Sequence, residues 1–172
     1  MNSLKKNIVK IPDSSEGNFV IKYFPNWSIP YLHLSRADRP TGTWLLLLPC
    51  FFGILLAYIE KNNLSMSFYE IWLLIACSIE AFLMRGAGCT WNDILDKDYD
   101  AKVKRTQNRP IPSGQVTIRR AIYWMIVQSL LAFTILLTFN KFSILIACLS
   151  LLLVAIYPLA KRFTWWPQIF LG

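Results

Sequence analysis

Residues 67–100 read SFYEIWLLIACSIEAFLMRGAGCTWNDILDKDYD. The first two-thirds is an apolar run long enough to cross a hydrocarbon core of about 30 Å, which takes roughly 17–25 helical residues. The last third is crowded with acid: Asp93, Asp96, Asp98 and Asp100 are four of the chain's ten acidic residues. A spanning helix that ends in carboxylates brings charge to the membrane boundary. Working outward, three further runs reach spanning length, at 43–59, 121–139 and 142–160, with the quoted one at 67–88. A fifth apolar run opens at Pro167, and proline suits the first turn of a helix. The expected fold is all-α, a polytopic transmembrane helix bundle with about four complete spans and the start of a fifth. Residues 1–40 read as a polar, interfacial N-terminal segment and 41–172 as part of a transmembrane domain.

Composition agrees. An apolar content of 55% over 172 residues is high for a soluble domain and excludes a disordered chain. Cys50, Cys77, Cys89 and Cys148 follow neither a disulfide framework nor a zinc spacing and read as buried thiols. The net charge of +8 is placed for a membrane rather than for nucleic acid. Six Lys and Arg precede the first span and eight lie in 85–120, whereas the intervening connections hold only Lys61 and Lys141. That alternation puts the N-terminus and the loop after the second span on the cytoplasmic side or its equivalent. Pro49 is expected to kink the first span. The first forty residues lack a signal peptide's apolar core, and Asp13 and Glu16 argue against a mitochondrial presequence. A bacterial inner membrane is therefore preferred to a mitochondrial one.

If the second span continues as a helix, Asn92, Asp93, Asp96 and Asp100 fall within about 100° of arc, while Asp98 points away. Three carboxylates and an amide on one stripe repel one another unless a cation sits between them. Oxygen donors without His or Cys suit a hard divalent ion, foremost Mg²⁺, which bridges carboxylates to substrate phosphates. A lone acidic pair would more often be a solvated loop. The density here, on a membrane helix, tips the balance towards metal. Next come Lys102, Lys104, Arg105 and Arg109, followed by Pro110, Pro112 and Gly114, which break any helix. Cations in such a loop can be topology anchors or can hold phosphate oxygens. Beside a metal-binding stripe they describe a receptacle for a diphosphate.

Asn92-Asp93-x-x-Asp96-x-x-x-Asp100, followed by Val103-Lys104-Arg105-Thr106 and Arg109-Pro110-Ile111-Pro112-Ser113-Gly114, resembles the first aspartate-rich signature of the UbiA superfamily of intramembrane prenyltransferases. Arg36-Ala37-Asp38-Arg39-Pro40 before the first span, Met84-Arg85-Gly86-Ala87-Gly88-Cys89, and Tyr157-Pro158-x-x-Lys161-Arg162 resemble its 4-hydroxybenzoate polyprenyltransferase branch. The resemblance implies a nine-span bundle around a cavity open to lipid. It also implies Mg²⁺ held by two aspartate-rich motifs, with a polyprenyl diphosphate and an aromatic acid as substrates. On this basis Asn92, Asp93, Asp96 and Asp100 are the expected metal ligands, and the three aspartates are the expected catalytic residues. Arg39, Lys104, Arg105, Arg109, Tyr157 and Lys161 are expected to bind substrate. The second motif is not within 101–172, which hold no Asp or Glu. The chain therefore reads as an N-terminal portion, inactive alone.

The implied reaction ionises an allylic diphosphate, and an electron-rich ring, 4-hydroxybenzoate on the way to ubiquinone, captures the cation. Asn92 and Asp96 are the expected direct metal ligands. Rival readings are a prenyltransferase with another acceptor, a transporter, or a non-catalytic fragment. A transporter predicts acids within several spans, and Glu80 is the only clear one. Glu80 can pair with a neighbouring helix or line a cavity, with pairing the preferred reading, and His33 is expected to sit at the interface.

Overall fold

The computed structural model describes residues 19–61, 65–160 and 166. Seven helices follow in order: α1 (Phe19–Tyr23), α2 (Ile29–Leu34), α3 (Thr41–Glu60), α4 (Phe68–Leu95), α5 (Lys97–Asp100), α6 (Ile118–Leu136) and α7 (Lys141–Ala160). Among the described residues there are no strands. Four helices are long and apolar enough to cross a membrane: α3, α4, α6 and α7. They correspond to the four expected spans. The expected fifth run, from Pro167, lies outside the described residues.

Local chemistry sets the helix boundaries. Ser67 caps α4 through a reciprocal box: its Oγ accepts the Glu70 N–H at 3.4 Å, and Glu70 Oε2 accepts the Ser67 N–H at 2.7 Å. Lys61 Nζ reaches Glu70 Oε1 at 2.9 Å and ties the end of α3 to the start of α4. Thr117 caps α6, and Asn140 Oδ1 accepts the Ser143 N–H at the start of α7. Pro49 lies within α3, which runs unbroken past it. In a bilayer, neighbouring helices can absorb the lost hydrogen bond.

The bundle is centred on α4, which packs against α6 and α3 and touches α7 near its end. Leu47, Cys77 and Ala81 form the core between α3 and α4. Trp72 Nε1 donates to Thr138 Oγ1 at 2.9 Å, and Trp91 Nε1 to the Ala155 carbonyl at 3.2 Å, so indoles join α4 to the later spans. Most of the remaining Leu, Ile and Phe side chains on the spans are exposed, as expected of surfaces whose solvent is lipid. Cys50 and Cys148 share that exposure, so only Cys77 fits the expectation of buried thiols, with Cys89 intermediate; all four are free. An exposed thiol on a span meets hydrocarbon and needs no protein cover.

The segment before the first span is more than an interfacial tail. Leu34 of α2 is fully buried in a second core with Ile111, Val116 and Ala121. This cluster fastens both α2 and the loop 101–117 onto the polar end of the bundle. His33, expected at the interface, is buried instead, with its Nδ1 3.7 Å from Asp38 Oδ1.

Candidate active site

At 28 residues, α4 rises about 42 Å, well beyond a hydrocarbon thickness of about 30 Å. Its last turns therefore carry polar residues beyond the apolar slab. The helix does not continue through the whole aspartate stretch. It is capped at Asp96, whose N–H still bonds the Asn92 carbonyl at 2.9 Å, and α5 restarts at Lys97. Despite that break, Asp93 and Asp100 converge. Arg109 Nη1 lies 2.8 Å from Asp100 Oδ2 and 3.3 Å from Asp93 Oδ1. Asp98 faces solvent, as the helical wheel predicts.

Arg109 is delivered by its loop. Thr106 Oγ1 donates to the Asp100 carbonyl at 3.0 Å, the Val116 N–H bonds the Pro110 carbonyl at 2.9 Å, and Gly114 takes φ +77° where the chain reverses. Buried Pro110, Ile111 and Val116 then anchor the turn.

The second cation on Asp93 comes from 57 residues upstream. Arg36 Nη2 donates to both Asp93 oxygens, at 2.7 and 3.0 Å. The Asp93 side chain is 1% exposed, so its charge is compensated almost wholly by two guanidinium groups. Arg36 also holds an unusual backbone. It follows the C-cap of α2, its N–H bonding the His33 carbonyl and the Ala37 N–H bonding the Leu32 carbonyl. That pattern is a Schellman closure, whose left-handed position is normally glycine. Arg36 occupies it at φ +53°, at a cost of about 1–2 kcal/mol for a residue with a Cβ. The preceding Ser35 is clasped from α6: Trp124 Nε1 and Gln128 Nε2 donate to its Oγ at 2.9 and 2.7 Å. Gly86 of α4 makes room, since a Cβ there would run into the Gln128 amide.

These groups form the charged end of a cavity of about 650 Å³. Arg36, Arg85, Asn92, Asp93 and Arg109 line one part of it, and Leu46, Met84, Phe133, Leu136, Leu151 and Val154 line much of the rest. Tyr157 and Glu80 are also on its wall. Of the expected site residues, Asn92, Asp93, Arg109 and Tyr157 meet at the cavity. Asp100 joins through Arg109, while Asp96 sits at the helix cap off the cavity wall. Lys104 and Arg105 are exposed and off the wall as well. Arg39 Nε pairs with Asp38 at 3.3 Å, and Lys161 lies outside the described residues. Burial pushes the Asp38 carboxyl up, but the facing His33 and Arg39 outweigh it and hold the group below the ordinary aspartate value.

Three lining residues were not singled out as site residues by the sequence reading. Arg36 stands three positions before Arg39, and the fold decides which of the two guanidinium groups reaches the cavity. Arg85 stands on the same α4 stripe as Asn92; its Nη2 reaches the Arg39 carbonyl at 3.5 Å, and its buried Nε has no hydrogen-bond partner. An arginine within an apolar span was the available signal. Glu80, expected to pair with another helix, instead faces the cavity and makes no ion pair among the described residues.

The donors suit a hard divalent ion in kind: amide and carboxylate oxygen, with Asn92 and Asp93 both on the wall. Among the described residues, no three His, Cys, Asp or Glu side chains gather into a metal cage.

A polytopic α-helical membrane protein, with an apolar cavity capped by arginine and aspartate, is the class these features define. A family match extends over residues 46–172, and the chain belongs to the UbiA prenyltransferase family. It is 46% identical over 157 residues to "4-hydroxybenzoate polyprenyltransferase, mitochondrial" of Arabidopsis thaliana, covering 91% of this chain and 37% of that protein. The Bos taurus protein of the same name is 45% identical over 161 residues, covering 94% of this chain and 42% of the relative. "4-Hydroxybenzoate geranyltransferase 1" of Lithospermum erythrorhizon is 35% identical over 164 residues, 95% of this chain and 51% of the relative. The chain thus spans about two-fifths to half the length of these relatives. No solved structure matches.

Proposed function

We propose that this chain supplies the first half of the catalytic chamber of an enzyme that transfers a prenyl group from a polyprenyl diphosphate to 4-hydroxybenzoate, in ubiquinone biosynthesis. The observation that carries the reading is one cavity joining a cluster of arginines and oxygen donors to an apolar wall. A prenyl diphosphate has the same two halves, a dianionic or trianionic head and a hydrocarbon tail. The donor is read as polyprenyl from the mitochondrial relatives, and the aromatic acid is common to the names of all three relatives described above.

Arg36 and Arg109 face the diphosphate and offset the charge that grows on it as the allylic C–O bond breaks. Leu46, Phe133 and Leu151 keep water from the resulting allyl cation. The ring carbon ortho to the acceptor hydroxyl forms the new C–C bond, and the proton it carried leaves to restore aromaticity. Arg85, with no acidic partner among the described residues, is placed to hold the acceptor carboxylate. Mg²⁺, when bound, would neutralise the departing diphosphate as a Lewis acid, with Asn92 and Asp93 the cavity-facing residues to hold it. Asp96, the other expected ligand, would support that turn from the helix cap.

The membrane is proposed to be mitochondrial, correcting the bacterial expectation drawn from Asp13 and Glu16, because the Arabidopsis and Bos relatives carry that compartment in their names. The natural full-length polypeptide, purified in detergent with Mg²⁺, should prenylate 4-hydroxybenzoate from a polyprenyl diphosphate. Arg85→Met should raise the KM for 4-hydroxybenzoate about tenfold or more while leaving the KM for the diphosphate within about twofold. Product formation with no response to chelation, or equal shifts in both KM values, would remove the assignments of Mg²⁺ and Arg85 respectively.

A further inference from the structure

Resting on the reading of Asn92 and Asp93 as the cavity-facing metal holders, we infer that Arg36 and Arg109 form a latch that makes metal binding conditional on the diphosphate. Asp93 is almost completely buried, and its two oxygens already accept three guanidinium contacts at 2.7–3.3 Å. A divalent ion arriving alone would have to share that carboxylate with two fixed positive charges a few ångströms away. The repulsion acts in a site with little water to screen it. A diphosphate changes the balance, because both arginines line the same cavity and its oxygens give their forks another partner. The cations then turn from carboxylate to phosphate, and Asp93 is released to the metal.

The latch is built rather than accidental. Arg36 holds a left-handed backbone position normally given to glycine, and α6 clasps its neighbour Ser35 through Trp124 and Gln128. A backbone outlier that the surroundings over-determine is the mark of a functional constraint. Arg109 is held by a loop whose Ile111 and Val116 are buried in the core. Both forks therefore start from fixed bases, and only their ends have to move.

The latch predicts coupling between two ligands that can be read without turnover. Mn²⁺, as the paramagnetic substitute for Mg²⁺, is titrated by electron paramagnetic resonance into the full-length polypeptide in detergent, with and without inorganic pyrophosphate. At matched free Mn²⁺, pyrophosphate should tighten binding by at least about tenfold, within the usual range of coupling between sites. Arg36→Gln should tighten Mn²⁺ binding in the absence of pyrophosphate by about tenfold and shrink the coupling. Arg36→Lys, which keeps the charge and loses the planar fork, should fall between and carries the test if the glutamine variant does not fold. Equal Mn²⁺ affinity with and without pyrophosphate in the unaltered protein would overturn the latch while leaving the metal site standing. No Mn²⁺ binding under any condition would overturn both.

Discussion

Two carboxyls of α4, Glu80 and Asp93, both line the cavity, about 20 Å apart along the helix axis. Asp93 is almost sealed from solvent and held by Arg36 and Arg109. Glu80 is deeper in the span and makes no ion pair among the described residues. The chamber is thus graded, with charge met by charge at the polar end and one carboxyl left without a cation at depth. A buried carboxylate beside two arginines has its charge met within the protein, whereas Glu80 shares the cavity wall with Leu136 and Leu151 and has no such partner among the described residues. Only the first is equipped to manage a multiply charged headgroup.

Asp93→Ala should break the comparison at its strong end. It leaves Arg36 without its carboxylate partner and Arg109 with Asp100 alone, so thermal unfolding in detergent should show a loss of about 3–5 kcal/mol. Turnover should fall by about 10²-fold or more. Unchanged stability would mean that the arginines do not depend on Asp93.

Gly86→Ala tests whether the clasp from α6 matters to that end. The new Cβ meets the Gln128 amide and presses on Ser35 at 3.0 Å. A loss of about 1–3 kcal/mol is expected, with weaker diphosphate binding as the turn bearing Arg36 shifts. A variant with full stability would show that Gln128 can step aside.

Asp38 gives a smaller, pH-dependent effect. Its folded pKa is depressed, so its contribution to stability is present above the ordinary aspartate value of about 3.9 and is lost as pH falls through the lower folded value. Asp38→Asn should lower the unfolding temperature slightly near neutrality and flatten the acid limb of its plot against pH below about 4, where the two proteins converge. An identical acid limb would remove the role.

Glu80→Gln sharpens the weak end. A neutral isostere at a site without a cation should change turnover by less than about twofold and leave stability within about 0.5 kcal/mol. A large loss would make Glu80 a working carboxylate and the gradation false.

The spans were legible because length and hydropathy decide them, and a membrane leaves helices few alternatives. The boundaries were less so: α4 runs to Leu95 rather than stopping near the glycines at 86 and 88, since the helix needs no apolar residues beyond the bilayer. The acidic stripe was visible through its spacing, and Asp93 and Asp100 do come together. What spacing could not convey was their partner, because Arg36 and Asp93 meet across 57 positions and Arg109 and Asp93 across 16. Local pattern likewise ranked Lys104 and Arg105 with Arg109, although only Arg109 has buried prolyl and aliphatic neighbours to aim it. Spacing likewise could not separate Arg36 from Arg39: the left-handed turn after α2 carries the Arg36 guanidinium to Asp93, while Arg39 pairs with Asp38.

The Ser35 clasp has a consequence for biogenesis. Its donors, Trp124 and Gln128, are 89 and 93 positions later than the serine. A nascent polypeptide leaving the ribosome therefore presents Arg36 long before the clasp that steadies it exists. Asp93 can meet its upstream counter-ion only once the second hydrophobic segment has been made, and the pairing gains its clasp only with the third. The order of synthesis is thus also the order in which the arginine and aspartate end of the cavity can be completed.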